Sequence, residues 1–132
     1  MKLTRASSYA LAAIAYLARE KPDAPVTSHD VAQAEGIPDR FLLKVLRSLV
    51  SVGILRSLKG PNGGYRLVRA PKDVTLLEVI EAVDGPLRAV AEPVGKQGAS
   101  VDKRLQAVCD EVLALVRERL AKATLAELAR GK

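Results

Sequence analysis

The hexapeptide Lys59-Gly60-Pro61-Asn62-Gly63-Gly64 stands between two short runs of β-type residues, Ile54 to Leu58 and Tyr65 to Val68. Three glycines and a proline in six positions oppose helix and favour a tight reversal, so a β-hairpin is expected here. What precedes it narrows the architecture further. Leu42, Val45, Leu46 and Leu49 follow the i, i+3, i+4, i+7 rule, while Arg40, Leu43, Lys44, Arg47 and Ser51 follow it on another side. This helix is expected to open with Pro38 in its first turn and to end at Gly53. Ahead of it, Thr27 and Asp30 form a capping box for a short helix through Val31, Ala32 and Ala34, stopped by Gly36. A first helix runs from Leu3 to Glu20 with Thr4 as N-cap and ends before Pro22, its Ala6, Ala10, Ile14 and Leu17 lying beside Tyr9, Ala13 and Tyr16. A short helix, a glycine turn, a helix with a basic outer face and a basic hairpin, in that order, make a winged helix-turn-helix.

Downstream, Thr75 and Glu78 form a second capping box before Leu76, Leu77, Val79, Ile80 and Val83, and Gly85-Pro86 closes that helix. Residues 87–100 read as a loop. From Val101 to Ala123 the apolar positions Leu105, Cys109, Val112, Val116 and Leu120 recur at steps of four and three, widened by Val108, Leu113 and Leu115. A stripe of this length needs a partner. Thr124 and Glu127 suggest a third capping box, starting a brief last helix at Leu125 and Leu128. The expected fold class is mainly α with a small β-hairpin wing (α+β). Its expected parts are a DNA-binding unit at 1–86, a loop at 87–100, and a dimerisation helix with C-terminal cap at 101–132.

Charge distribution points to the partner. The chain of 132 residues carries a net +6, and residues 1–70 hold 11 Lys/Arg against 5 Asp/Glu, whereas the remainder is balanced. Between residues 38 and 70, Arg40, Lys44, Arg47, Arg56, Lys59, Arg66 and Arg69 are opposed only by Asp39. With only 3% aromatic residues, stacking on single strands is poorly supported, and double-stranded DNA is the expected partner. Arg40, Lys44 and Arg47 are donors suited to guanine edges or phosphates, and Asp39 and Arg40 stand where a recognition helix probes deepest. Leu43 suits a thymine methyl. On the hairpin, Gly60, Gly63 and Gly64 allow close backbone approach to phosphates, Lys59 reaches toward a minor groove, and Tyr65 either packs under the wing or touches phosphate. Thr27 and Ser28 at the short helix, with Asn62 at the turn, complete the DNA-facing set. Arg56, Arg66 and Arg69 are phosphate contacts or solvated charges. The alternatives are a basic face that merely keeps copies apart, or an adaptor whose basic face meets an acidic protein.

One Cys excludes an intramolecular disulfide, and neither an apolar leader nor a run of about 18 apolar residues is present, so a cytoplasmic protein without membrane spans is expected.

Three segments together resemble a known family: Lys2-Leu3-Thr4 with Tyr9-Ala10-Leu11, then Gly60-Pro61-Asn62-Gly63-Gly64-Tyr65-Arg66-Leu67, then Val79-Ile80-Glu81-Ala82-Val83-Asp84-Gly85. They are similar to the IscR/NsrR/CymR-type bacterial transcription regulators, the Rrf2 family. The resemblance covers nearly the whole chain. It implies a homodimer on a palindromic operator, mostly as a repressor, with each recognition helix in a major groove and each wing beside a minor groove. By position, the base-reading residues would fall on Asp39, Arg40, Phe41, Leu43 and Lys44, and the basic wing residue on Lys59; Phe41 is alternatively core. The family pairs its long helix across the dimer, which would employ Leu105, Cys109, Val112, Val116 and Leu120.

The sequence departs from the family in its cysteines. Sensor members hold an iron–sulfur cluster through three cysteines around the loop before the long helix, yet between Leu87 and Leu105 there is no Cys and no His. No cofactor or metal is therefore expected. Cys109 reads as a packing residue, with a thiol sensor or an intersubunit disulfide as the sharper alternatives; Asp110 and Glu111 beside it do not supply the positive surroundings a reactive thiolate uses. His29 reads as a capping or phosphate-side group. The glycine-rich turn lacks the Lys-Ser/Thr and following helix of a nucleotide-binding loop. Glu78, Glu81 and Asp84 have no catalytic partner nearby in sequence and read as a solvated face, so no enzyme is expected. The signal is open between none, a small molecule or partner protein at the 87–100 loop, and Cys109 chemistry.

Overall fold

A computed structural model describes residues 1–20, 24–92 and 99–130. The chain forms α1 (Arg5–Glu20), α2 (Ser28–Glu35), α3 (Asp39–Ser51), β1 (Leu55–Leu58), β2 (Gly64–Leu67), a single 3-10 turn (Pro71–Asp73), α4 (Leu76–Asp84), α5 (Ala99–Lys122) and α6 (Leu125–Ala129). This is a winged helix with a long C-terminal helix, the expected fold class.

Alanines on α1 let its neighbours approach closely. Ala10, Ala13, Ile14 and Leu17 are buried, and α1 packs against α2, α3, α4 and α6. The Thr4 hydroxyl caps α1 by accepting from the Ser7 amide at 3.0 Å. Thr27 likewise accepts from the Asp30 amide at 3.1 Å and Thr124 from the Glu127 amide at 3.3 Å. Among the described residues neither expected box closes with a return bond; only Thr75 and Glu78 make both halves. For Asp30 the reason is reach, since its carboxylate is one methylene shorter than that of glutamate.

Gly36 takes the left-handed conformation (φ 65°, ψ 35°) that ends α2, and the adjoining Ile37 is buried. Pro38 lies one place earlier than expected: its ψ of 132° is extended, so it is the N-cap and α3 begins at Asp39. The inner face of α3 is dry, with Leu42, Val45, Leu46 and Leu49 all buried.

The strands pair antiparallel with Leu55 opposite Leu67, Arg56 opposite Arg66, Ser57 opposite Tyr65 and Leu58 opposite Gly64. Val26, ahead of α2, donates to the Tyr65 carbonyl at 2.9 Å and accepts from its amide at 2.8 Å, stitching the wing onto the domain. That stitch explains Gly64, whose φ is 148° and where a Cβ would lie 2.5 Å from the Val26 oxygen; at Gly63 a Cβ would meet the Leu58 oxygen at 2.1 Å. These two glycines are required by the chain's own close contacts, independently of any phosphate.

Two backbone bonds fasten the C-terminal part to the domain, Leu76 N–H to the Ala123 carbonyl (2.9 Å) and Leu125 N–H to the Val74 carbonyl (2.8 Å). Leu125 is fully buried, so α6 closes the core.

The acids of α4 depart from expectation. Instead of a solvated row, each is a tie: Glu78 accepts from Arg69 (2.6 and 3.3 Å) and from the Thr75 amide (3.0 Å). Glu81 accepts from the Leu87 amide (2.8 Å) and from Arg117. Asp84 accepts from the hydroxyls of Thr4 (2.8 Å) and buried Ser7 (2.6 Å). Three-residue spacing fans them around the helix, so each meets a different element, which sequence spacing alone does not reveal.

The Arg69 guanidinium, bonded to Glu78, holds that carboxyl below the ordinary glutamate value, with the Thr75 amide adding to the effect against desolvation. A depressed carboxylate stabilises the fold above its unfolded pKa, and that stabilisation is lost as pH falls through the folded one. The wild type should therefore lose Tm below the ordinary glutamate range more steeply than Glu78→Gln. Melting curves between neutral pH and acid test this, and parallel curves would refute it.

Candidate nucleic-acid interface

The outer face of α3 presents Asp39, Arg40, Phe41, Lys44 and Arg47 to solvent, with Leu43 half-buried between them. At its N-terminus, His29 of α2 comes within 3.9 Å of Asp39 (Nδ1 to Oδ1), so the starts of α2 and α3 share one surface. Thr27 is exposed and Ser28 half-buried at that same α2 start. On the wing, Lys59, Gly60 and Asn62 are exposed at the tip, and the Gly63 amide closes the turn on the Gly60 carbonyl at 3.0 Å. Tyr65 is half-buried and packs against the core.

The electrostatics of this surface are one-sided. Among the described residues Arg40, Lys44, Arg47, Arg56, Lys59 and Arg66 have no acidic partner within salt-bridge distance, whereas Arg19, Arg69, Arg117 and Lys122 each have one. Arg56 and Arg66 are moreover directly opposite across the strand pair. Like charges in that position destabilise a sheet unless an external anion neutralises them. Arg69 leaves the expected basic set, because its guanidinium is held by Glu78 and by the Asp73 carbonyl at 2.6 Å.

A second surface runs along α5. Val101, Leu105, Val108, Val112 and Leu115 repeat at steps of four, three, four and three, and each is 44–66% exposed. Cys109 and Val116 are half-buried, and Leu120 packs against the core of its own chain. The exposed row thus keeps Leu105 and Val112 of the stripe expected from sequence together with Val108 and Leu115, which were expected to widen it, and starts at Val101, while Cys109, Val116 and Leu120 fall outside it. The difference arises because the base of α5 is laid on α4 by Arg117 and Glu81, which turns Leu120 inward. Gln106 fastens the preceding segment: its amide donates to the Ala89 carbonyl (2.5 Å) and to Asp110 (2.9 Å) and its oxygen accepts from the Ala91 amide (3.0 Å). Residues 87–92 have no regular structure, and the remainder of the expected loop, 93–98, lies outside the described residues. Among the described residues no helix is long and apolar enough to cross a membrane.

Sequence reasoning missed one neighbour of this surface. Arg5 of α1 lies with Tyr9, Phe41 and Lys44 around a single cavity. Nothing in the order of residues signals it, since α1 and α3 are brought together only by the core.

Comparison with known proteins places these surfaces in context. Residues 3–131 match the Rrf2 family, described as an iron-dependent transcriptional regulator. A protein of Mycobacterium tuberculosis named as an HTH-type transcriptional regulator is 32% identical over 99% of this chain and 83% of its own length. The regulator IscR of Aliivibrio salmonicida is 35% identical over 74% of this chain, which spans 58% of that relative. Among solved structures, a transcriptional regulator from Listeria innocua superposes with TM-score 0.80 at 26% identity, covering 100% of this chain and 88% of that one. CymR, the global cysteine regulator of Bacillus subtilis, has TM-score 0.78 at 24% identity, with 98% and 97% covered, and shares the fold.

Iron dependence in the family's description requires donors to hold the metal. This chain has a single Cys, on α5, and a single His, on α2. No group of three or more His, Cys, Asp or Glu among the described residues can hold a metal ion. One thiolate does not satisfy a cluster that takes several, so the residues present do not fit that group.

Proposed function

This chain belongs to the Rrf2 family of transcriptional regulators, and from that premise we propose that it binds a palindromic double-stranded DNA operator as a homodimer and represses transcription there. The observation that carries the reading is the block of six unpartnered cations on α3 and the wing, including Arg56 opposite Arg66. A folded chain that leaves every cation of one face without an internal counter-ion presents a surface matched to a polyanion. In this reading residues 1–86 bind DNA, 101–132 dimerise, and the 87–100 segment receives any small-molecule or protein effector. Asp39, Arg40, Phe41 and Leu43 face base edges, and Lys44, Arg47, Thr27, Ser28 and Tyr65 lie at the backbone. Lys59, Gly60, Asn62 and Gly63 reach the minor groove. The exposed row of α5, with Cys109 and Val116 at its margin, packs against its copy. Repression and the palindrome are what the family resemblance implies. Binding to DNA places the protein in the cytoplasm and calls for no catalytic group.

Nuclease footprinting on the DNA upstream of its own gene is the test. The expected result is a two-fold symmetric protected site whose affinity falls steeply with salt, by about 10³–10⁵ between 50 and 200 mM if six to ten phosphates are contacted. Lys59→Ala should weaken the footprint and shorten its flanks at the minor groove. Weak, sequence-blind binding without a footprint would instead favour an adaptor that docks an acidic protein.

A further inference from the structure

Between α1, α3 and α4 lies a cavity of about 240 Å³ whose lining is mainly apolar. Ala6 and Val83 form part of it, and Tyr9 and Phe41 stand beside it with ring centroids 6.4 Å apart and planes tilted by 48°. Phe41 remains 57% exposed, which is unusual for a large ring on a structured helix that has an apolar recess alongside it. Two exposed cations, Arg5 and Lys44, flank the same cavity, and neither has an acidic partner among the described residues.

We propose that this cavity is a binding site for a small organic carboxylate with a flat aromatic body, and that its occupant competes with DNA for Lys44. The volume lies below the roughly 300–1,000 Å³ of sites for drug-sized ligands, so the occupant is small. The rings and aliphatic groups match an apolar body, and edge or offset contacts with Tyr9 and Phe41 select a flat one. The unpaired Arg5 and Lys44 supply charge-assisted hydrogen bonds to a carboxylate at the mouth. A DNA phosphate uses the cations alone and leaves the apolar lining unfilled. Phe41 and Lys44 are one turn apart on α3, so an occupant that holds both withdraws Lys44 from the phosphate it would otherwise meet. That last step rests on the DNA-binding reading; occupancy of the cavity does not.

The test is an NMR titration of the full chain, labelled at methyl and aromatic positions and free of DNA, with phenylacetate as probe. The expected result is a saturable shift of the Tyr9, Phe41 and Val83 signals, with phenylethanol, which lacks the charge, binding at least about tenfold more weakly. Ser48 of α3 also lines the cavity, so Ser48→Phe, which places a ring in it, should abolish the shifts while the spectrum stays dispersed, and Arg5→Gln should weaken them about fivefold or more. No saturable binding, equal binding by both variants, or inorganic phosphate matching phenylacetate would overturn the site. In a second arm, saturating phenylacetate should lower operator affinity at least about threefold, and an unchanged affinity would overturn the competition. A protein that binds no operator at all defeats the DNA-binding reading, and the titration without DNA still decides the cavity.

Discussion

A chain carrying both Val108→Glu and Leu115→Glu is expected to stay folded, to sediment as a monomer, and to bind its operator about 10²–10⁴-fold more weakly than the wild type. The two residues are 54% and 66% exposed, so neither contributes to the core of its own chain, and glutamate in their place leaves the fold of the isolated protomer undisturbed. In a helix pair the same substitutions set like charges against each other in an apolar seam, where each uncompensated charge costs several kcal/mol. The affinity loss follows from geometry, not from any lost DNA contact. Two recognition helices on one rigid dimer make the second half-site contact intramolecular, and a monomer forfeits that effective concentration. Analytical ultracentrifugation and operator titration read the two effects separately. A dimer that survives both substitutions would show that the exposed row of α5 is not its seam.

The second large effect is expected at the start of the recognition helix. Arg40→Ala should reduce operator affinity by about 1–3 kcal/mol per protomer and relax the preference at one base pair, because a guanidinium at this place offers a bidentate fork to guanine. Lys44→Ala should instead weaken all sequences alike and lower the salt dependence by about one phosphate contact, if its ammonium meets the backbone. Both side chains are exposed and make no salt bridge among the described residues, so neither substitution removes a contact that holds the fold. Affinity for the operator and for a scrambled duplex, measured over a series of salt concentrations, distinguishes the two roles. Unchanged affinity in both variants would remove α3 from the interface.

Local signals survived folding wherever one residue type has one dominant use. Gly36 is left-handed because few residues adopt that conformation without strain, and the Thr75/Glu78 pair closes a full capping box at the spacing its chemistry requires. The dry face of α3 was legible because a 3.6-residue period places Leu42, Val45, Leu46 and Leu49 together whatever they pack against. The hairpin was legible from its glycine-rich turn, although two of those glycines, Gly63 and Gly64, are required by backbone approaches to Leu58 and Val26 that no local pattern announces.

By itself, then, the sequence determined the order of elements, the buried faces of the short helices, the segregation of positive charge into the first half, and the absence of the thiols that a cluster takes. Each of these depends on neighbours within a turn or two, or on composition. Only the tertiary structure decided which charges are free and which apolar residues lack a partner. Arg69 and the acids of α4 became internal ties, leaving six cations of α3 and the wing unpaired. Leu120 turned into the core while Val101, Val108 and Leu115 stayed outside. Arg5 was brought beside Lys44 around a cavity whose walls come from three helices. A charge or an apolar side chain acquires its meaning from what faces it, and residues nearly 40 positions apart are set face to face by packing of the core.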